Sequence, residues 1–306
     1  MMSSPRTDGA AGRPEWLKRK ERGSVSVIRF TVRLALAAGR PITRLLLPLP
    51  SLYFLIFSRA SRRASRLYLS RVLGRQSTLL DVFRHYLTFA SCVLDRVFFL
   101  SDRTEHFELR FHGEEIVEGI LAEGRGCILL GAHMGSFEAL RSVGRRQPNL
   151  HVKVVMYEEN ARKVGAVLNA INPELAREVI SLGSPDSFIA VQQCLEEGGF
   201  VGVLADRSLS NERQVSCPFL GAPAQFSLNP FRMIAILQKP VVFMVGLYRG
   251  GGRYDIHFER LADPGEITRW REAGALESFV GRYVQRLEHY CRIAPYNWFN
   301  FYDIWK

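Results

Sequence analysis

From about residue 105 the chain alternates between short β-rich runs and helical stretches, and this alternation constrains the fold more than any other feature. Strands are expected near Cys127–Gly131, Val152–Tyr157, Phe200–Leu204, Val241–Leu247 and Tyr254–Glu259. Helices are expected near Glu114–Ala122, Ser136–Gly144, Ala161–Ala170, Asp186–Glu197, Pro230–Gln238 and Leu276–Arg292. Strand–helix alternation implies an α/β fold with a mostly parallel central sheet flanked by helices. The chain has 306 residues, enough for one large core of this kind.

The N-terminal quarter reads differently. Residues 1–75 hold 16 Lys and Arg against 3 Asp and Glu, and the remainder holds 25 against 27. The net charge of +11 therefore belongs to the N-terminal quarter. Residues 1–20 read as a polar tail, with no apolar run that would make a signal peptide. From Arg22 the pattern is helical. Arg22, Arg29, Arg33 and Arg40 fall within about 40° of one another on a helical wheel, with Val25, Ile28, Phe30, Val32 and Leu36 on the other faces. Gly39 and Pro41 should end this basic amphipathic helix.

Leu45–Ser58 follows without a charge. As helix it would span about 21 Å, short of a bilayer core of about 30 Å. Pro48 and Pro50 are expected to break it. Two readings stand: part-way insertion into one leaflet, or burial in a core. Arg59, Arg62, Arg63 and Arg66 then form a second basic face. Anionic headgroups attract such a face by about 1 kcal/mol per charge. Basic residues flanking a strongly apolar run point to an anionic membrane surface and away from nucleic acid. The expected organisation is a tail (1–20), basic amphipathic membrane-binding helices (21–78) and an α/β domain (79–306). In the last, residues 79–100 form a helix whose aromatics and His85 pack inward. The five cysteines are widely spaced without a CxxC, which fits a reducing compartment better than a disulfide framework or a zinc site. Cys217 is expected in a loop.

The chemistry is expected in GCILLGAHMGSFEALR, Gly126–Arg141. An apolar strand ends at a small-residue turn, and a helix begins there. Loops at the carboxyl ends of parallel strands are where such folds build sites. Of seven histidines, His133 alone has an acidic residue five positions on, Glu138. Gly135 lets the backbone turn between them. A neutral imidazole removes a hydroxyl proton near pH 7, and a carboxylate can hold its tautomer. Glu138 is expected in that supporting place. The acceptor hydroxyl itself would attack an acyl thioester, so no serine or cysteine nucleophile is needed, and the absence of a GxSxG elbow is consistent with that. Asp206 and Arg207 directly follow an expected strand and are further candidates. The same pair could instead activate water, as a thioesterase. A non-catalytic module that binds lipid or a carrier protein is the alternative from another class.

GAHMGSFE resembles the HX4(D/E) motif of the bacterial lipid A late acyltransferases and, more loosely, of the glycerolipid acyltransferases. Leu204–Phe226 and Lys239–Glu259 resemble the later blocks of the same family. The resemblance implies an enzyme on the cytoplasmic face of the bacterial inner membrane. It implies acyl transfer from acyl carrier protein, with acyl-CoA as the other possible donor, to a hydroxyl of a lipid acceptor, with no metal and no cofactor. By position it makes His133 the base and Glu138 its partner. Asp206 matches the later acid and Arg162 the basic residue after the second core strand. Gly135, Arg162, Asp206 and Arg207 are the implied substrate-binding positions. Phe137 stands where the family often has Trp, Arg207 where Gln is usual, and PYNWFNFYDIW replaces the usual basic ending. These departures point to a side branch, such as those in pathways for aryl-polyene membrane pigments. The C-terminal aromatics could line an acyl groove, sit at the membrane interface or pack onto the core.

Overall fold

The structure is a computed structural model that describes residues 25–139, 150–157, 178–182, 185–208, 212–267, 269, 272 and 274–306. Continuous apolar runs make strands β2 (Cys127–Gly131), β5 (Phe200–Leu204) and β8 (Val241–Gly250), and residue after residue in them is buried. Strands buried on both faces belong in the middle of a parallel sheet. With β1 (Glu108–His112), β3 (Val152–Tyr157), β4 (Val179–Leu182) and β9 (Arg253–Ala262) they form one seven-stranded sheet, ordered β1-β9-β8-β2-β5-β3-β4. The strands from β8 to β4 run parallel. β9 is antiparallel to β8, and β1 follows β9.

Side chains alternate between two cores. Ile128 and Leu130 face a core built with α7 (Pro185–Glu196), α8 (Asn229–Leu237) and α9 (Ala275–Ile293). Cys127 and Leu129 face the other, with Val117 and Ile120 of α6 (Glu114–Ala122). The expected strands, and the helices at 114–122, 186–197, 230–238 and 276–292, stand close to their predicted bounds, while the Ser136–Gly144 helix is described only as far as residue 139. The chain adds edge strands β1 and β4, and a hairpin of β6 (Gln214–Phe219) and β7 (Ala222–Ser227). Cys217 is thus a buried strand residue, not a loop thiol. The predicted Ala161–Ala170 helix lies outside the described residues.

Before the sheet come α1 (Val25–Ala38), α2 (Arg40–Leu46), α3 (Pro48–Phe57), α4 (Arg59–Val72) and α5 (Leu79–Leu100). The break between α1 and α2 falls at Gly39 and Pro41, as expected. Helix α2 ends at Leu46 and α3 begins at Pro48, so the apolar run is interrupted at Leu47, directly before the expected breakers Pro48 and Pro50. They lie in the first turn of α3, where a missing N–H costs nothing. The turn comes after Phe57, where α4 leaves the Arg40–Phe57 axis at 98°. Arg62 closes this elbow by donating to the carbonyls of Leu55 and Ile56. The apolar run is not buried: Leu45 is 78% exposed, Leu49 66% and Phe57 62%. No single described helix is long and apolar enough to cross a membrane, although the bent pair passes the same length and composition test.

The opposite side of these helices is anchored. Tyr68, Leu69 and Val72 of α4 join the same core as the sheet. Arg40 of α2 makes a bidentate pair with Asp95 of α5, Nε–Oδ1 2.8 Å and Nη2–Oδ2 2.9 Å. Tyr254 of β9 donates a third bond to Asp95 at 2.8 Å. α5 starts at a capping box in which Thr78 and Asp81 satisfy each other's backbone. Removing one member of a buried ion pair strands the other charge in the protein interior. Asp95→Ala should therefore lower unfolding stability by about 3–5 kcal/mol, read as a shifted denaturant midpoint. A change within a few tenths of a kcal/mol would mean that water already compensates Arg40.

Candidate active site

β2 and β5 are hydrogen-bonded parallel neighbours with Gly131 opposite Leu204. Two residues beyond each lie His133 and Asp206, so the register alone brings the imidazole and the carboxylate side by side. The His133 ring bonds through Nδ1 to Asp206 Oδ1 at 2.8 Å. The His133 backbone N–H donates to Oδ2 at 3.0 Å. An ionised carboxylate can only accept, so Nδ1 carries the proton and Nε2 the lone pair. The Trp298 indole N–H also donates to Oδ2, at 2.8 Å, and Tyr302 donates to the Asp206 backbone carbonyl at 3.1 Å. His133 keeps about a third of its side chain exposed, while that of Asp206 is fully buried.

The loop after His133 is fixed by backbone contacts. Gly135 has φ +63°, and a Cβ there would lie 1.9 Å from the Gly246 carbonyl oxygen. No other residue fits that turn without moving β8. The Gly135 N–H is used by the Asn297 carbonyl at 2.9 Å, and the Ser136 N–H by that of Gly246 at 2.8 Å. Ser136 Oγ accepts from the Ala139 N–H and caps the helix that begins at Phe137.

That helix carries Glu138 away from the ring. Its carboxylate pairs with Arg96 of α5 at 2.7 Å. The expected partnership of His133 with Glu138 is therefore corrected: Asp206 holds the ring. The physical reason is the sheet register, which delivers Asp206 directly, while five residues and a glycine turn deliver Glu138 to α5. Arg207 lines the same cleft and donates to the Phe299 carbonyl at 3.2 Å. Arg162 lies outside the described residues. Sequence reading missed Arg96 and Trp298. The signal for the first was a charged pair, Asp95–Arg96, in the otherwise uncharged second half of α5. The second is the tryptophan at the centre of the C-terminal aromatic run.

His133, Glu138, Arg96 and Arg207 open onto a cleft of about 720 Å³. Its apolar walls include Val154, Met156, Leu182, Phe188, Met233 and Ile236. The cleft is within the size range of small-molecule sites. Phe299 lines it, while the neighbouring Trp298 packs behind the carboxylate, so this part of the C-terminal run packs onto the core. Two of the described side chains in the wall, Ser136 and Cys92, are of nucleophilic type. Ser136 is buried and caps a helix; Cys92 is buried, which pushes its thiol well above the ordinary range and keeps it protonated.

Burial, then the positive charge of Arg207, push the His133 imidazole below its ordinary value, with Arg96 adding to them against the opposing pull of Asp206. Burial alone would raise the Asp206 carboxyl. The imidazole, Arg207 and the Trp298 N–H overcome it and hold the carboxyl at about 2. At neutral pH the pair is thus a neutral imidazole on an ionised carboxylate, the form a general base needs.

The model of the bacterial lipid A biosynthesis acyltransferase family matches residues 39–306. The chain belongs to that family. No individually curated protein matches it. Membership makes this lipid A acyltransferase-family protein an enzyme that acts on lipid, and it places the match over both the sheet and most of the helices before it. Two outcomes follow from the electrostatics. Asp206→Asn should reduce kcat by about 10³–10⁴-fold, because the amide cannot hold the required tautomer. An imidazole can act as a base only when neutral, so if His133 has that role kcat/KM should fall as pH drops through a value below 6.5. Arg96→Ala removes one of the cations that depress it, so that acid limb should move to higher pH. An unmoved limb would show that Arg96 does not act on the ring.

Proposed function

We propose that the protein transfers a fatty acyl chain from an acyl thioester, carried by acyl carrier protein, to a hydroxyl of a lipid acceptor at a membrane surface. The observation that carries this reading is a neutral, carboxylate-held imidazole at an apolar cleft whose own serine and cysteine are unsuited to attack. His133 Nε2 takes the proton of the acceptor hydroxyl as its oxygen attacks the thioester carbonyl. The tetrahedral oxyanion forms beside Arg96 and Arg207, whose charges favour it. Collapse breaks the C–S bond, and the departing thiolate regains the proton from the imidazolium. The products are the acyl ester and the free carrier thiol. Arg96 in turn is held by Glu138, which gives the motif acid a positioning task. The apolar walls suit the hydrocarbon chain of the donor.

A lipid acceptor must be met where it resides. The exposed face of α2 and α3 offers Leu45, Leu49 and Phe57, followed at once by the arginines of α4. Apolar side chains beside cations are the pattern of a helix lying in an anionic interface. The reading places the enzyme on the cytoplasmic side of a bacterial inner membrane, with acyl-CoA the alternative donor. The departures at Phe137, Arg207 and the C-terminal segment favour an acceptor of a side branch, such as a pigment lipid, over a lipid A precursor.

Mass spectrometry of lipids from a deletion strain, complemented by wild type or His133→Ala, tests the reaction. One lipid class should lose an acyl chain in the deletion and regain it with wild type alone. Restoration by His133→Ala would overturn the assignment of the base, and free fatty acid released without acceptor would make the enzyme a thioesterase. The surface is tested separately. Leu45→Glu combined with Leu49→Glu should abolish co-flotation with vesicles containing phosphatidylglycerol, while turnover of a detergent-solubilised acceptor persists. Unchanged flotation would remove α2 and α3 from the interface.

A further inference from the structure

The far edge of the sheet, on strands that do not contribute to the cleft, carries a second cluster of chemically active side chains. β1 and β9 pair in parallel with His112 opposite His257 and Arg110 opposite Asp255. Residues two apart on a strand share a face, so Asp255 and His257 stand side by side with His112 across from them. The two imidazoles stack with ring centroids 4.4 Å apart and planes 9° from parallel. Nitrogen or oxygen donors of the three side chains all lie within 4.8 Å of one another.

The hydrogen-bonding state of these rings separates them from the other well-placed histidines. His85 uses both ring nitrogens, on Ser65 and the Trp298 carbonyl, and His133 is bonded to Asp206. The buried Nε2 of His257, by contrast, has no hydrogen-bond partner. A buried nitrogen without a partner costs stability unless something else satisfies it. Tyr290 packs on the other side of the ring, with centroids 5.1 Å apart, and holds it in place. Asp255 is held through Oδ2 by Arg249 at 2.7 Å, which leaves Oδ1 for a further ligand.

We propose that His112, Asp255 and His257 form a binding site for a divalent transition metal, Zn²⁺ by preference, that clamps edge strand β1 to β9. Two imidazoles and one carboxylate are a donor set that such ions take, with water completing the coordination. Ligands bound at about 2.1 Å stand no more than about 4.2 Å apart. Binding therefore needs one ring to swing out of the parallel stack so that the two in-plane lone pairs converge, and His112, exposed on the edge strand, is the side chain able to make that movement. His257 is already in its ligating form, because burial, then its neighbour His112, lower its pKa to about 4. The clamp is structural: none of its three residues lines the cleft that holds His133. All five cysteines are free and buried, so a thiolate site does not compete with it on the surface.

Titration of the untagged full chain with Co²⁺ and with Zn²⁺ tests the site independently of any catalytic assay. Wild type should bind one Co²⁺ with visible ligand-field absorption, which Zn²⁺ displaces, and Zn²⁺ should raise the melting temperature. His112→Ala, on the exposed edge, and His257→Gln, which keeps a polar group, should each weaken binding at least 10-fold and abolish the thermal shift. A wild type that binds no Co²⁺ at millimolar concentration would overturn the proposal. So would binding that both variants retain unchanged, since the metal would then sit elsewhere. His133→Ala should leave the titration unaltered, so failure of the acyl-transfer reading would not touch this one.

Discussion

The site depends on one buried carboxylate. Asp206 has a fully buried side chain, and a charge in that place is tolerated only when its oxygens are saturated with donors. Its Oδ1 receives the ring of His133; its Oδ2 receives the backbone N–H of His133 and the indole of Trp298. Three parts of the chain therefore converge on two oxygen atoms: the end of β2, the end of β5 and the C-terminal segment. The C-terminal segment reciprocates, since the Phe299 N–H donates to the His133 carbonyl at 2.7 Å and Asn297 is bonded to both Gly135 and Tyr248. Satisfying the anion and orienting the base are the same act, which explains why so many aromatic residues lie within the last eleven positions.

Helix α5 connects that site to the N-terminal helices. Consecutive residues Asp95 and Arg96 point to different neighbours. Asp95 fixes Arg40 at the start of α2, and Arg96 meets Glu138 at the cleft. The same helix carries His85, bonded to Ser65 of α4 on one side and to the Trp298 carbonyl on the other. Burial drives His85 to about 4, so it stays neutral and keeps both bonds through the physiological range. The apolar face of α2 and α3 is thus held at a set position relative to the base by buried polar contacts. Such contacts are directional and fix an arrangement more strictly than apolar packing does.

Much of the sheet was legible in the sequence, because strands buried on both faces announce themselves as unbroken apolar runs, as in CILLG and FVGVL. The edge strands were not. β1 reads ELRFH and alternates exposed with half-buried positions, so it has no apolar run to find. His133 was legible from the strand-to-turn junction, and Asp206 from its place after β5. Their partnership was not, because it is set by the register of two strands about seventy residues apart, which no local pattern encodes. The spacing of His133 and Glu138 invited a local pairing, but Arg96, distant in sequence, takes that carboxylate. Pro48 and Pro50 mark the interruption between α2 and α3, where proline begins a helix from its first turn, but the sharp bend of the chain comes only after Phe57, where no proline announces it.

The charges around the cleft also have a logic that residue types alone do not express. A base must stay neutral before the reaction and become positive during it. Asp206 alone would favour the imidazolium too early, and the cations Arg96 and Arg207 alone would oppose it throughout. Together they leave the ring neutral at rest, with an anion on the Nδ1 side to receive the positive charge when the proton arrives. In the proposed reaction the same two cations would also favour the opposite charge, the oxyanion on the substrate. Arg96 does not have to be desolvated without compensation to serve there, because Glu138 neutralises it at 2.7 Å. On this view the motif acid contributes to the electrostatic balance of the cleft although it is not hydrogen-bonded to the ring, and Arg96 in return compensates Glu138, the more deeply buried charge of the two.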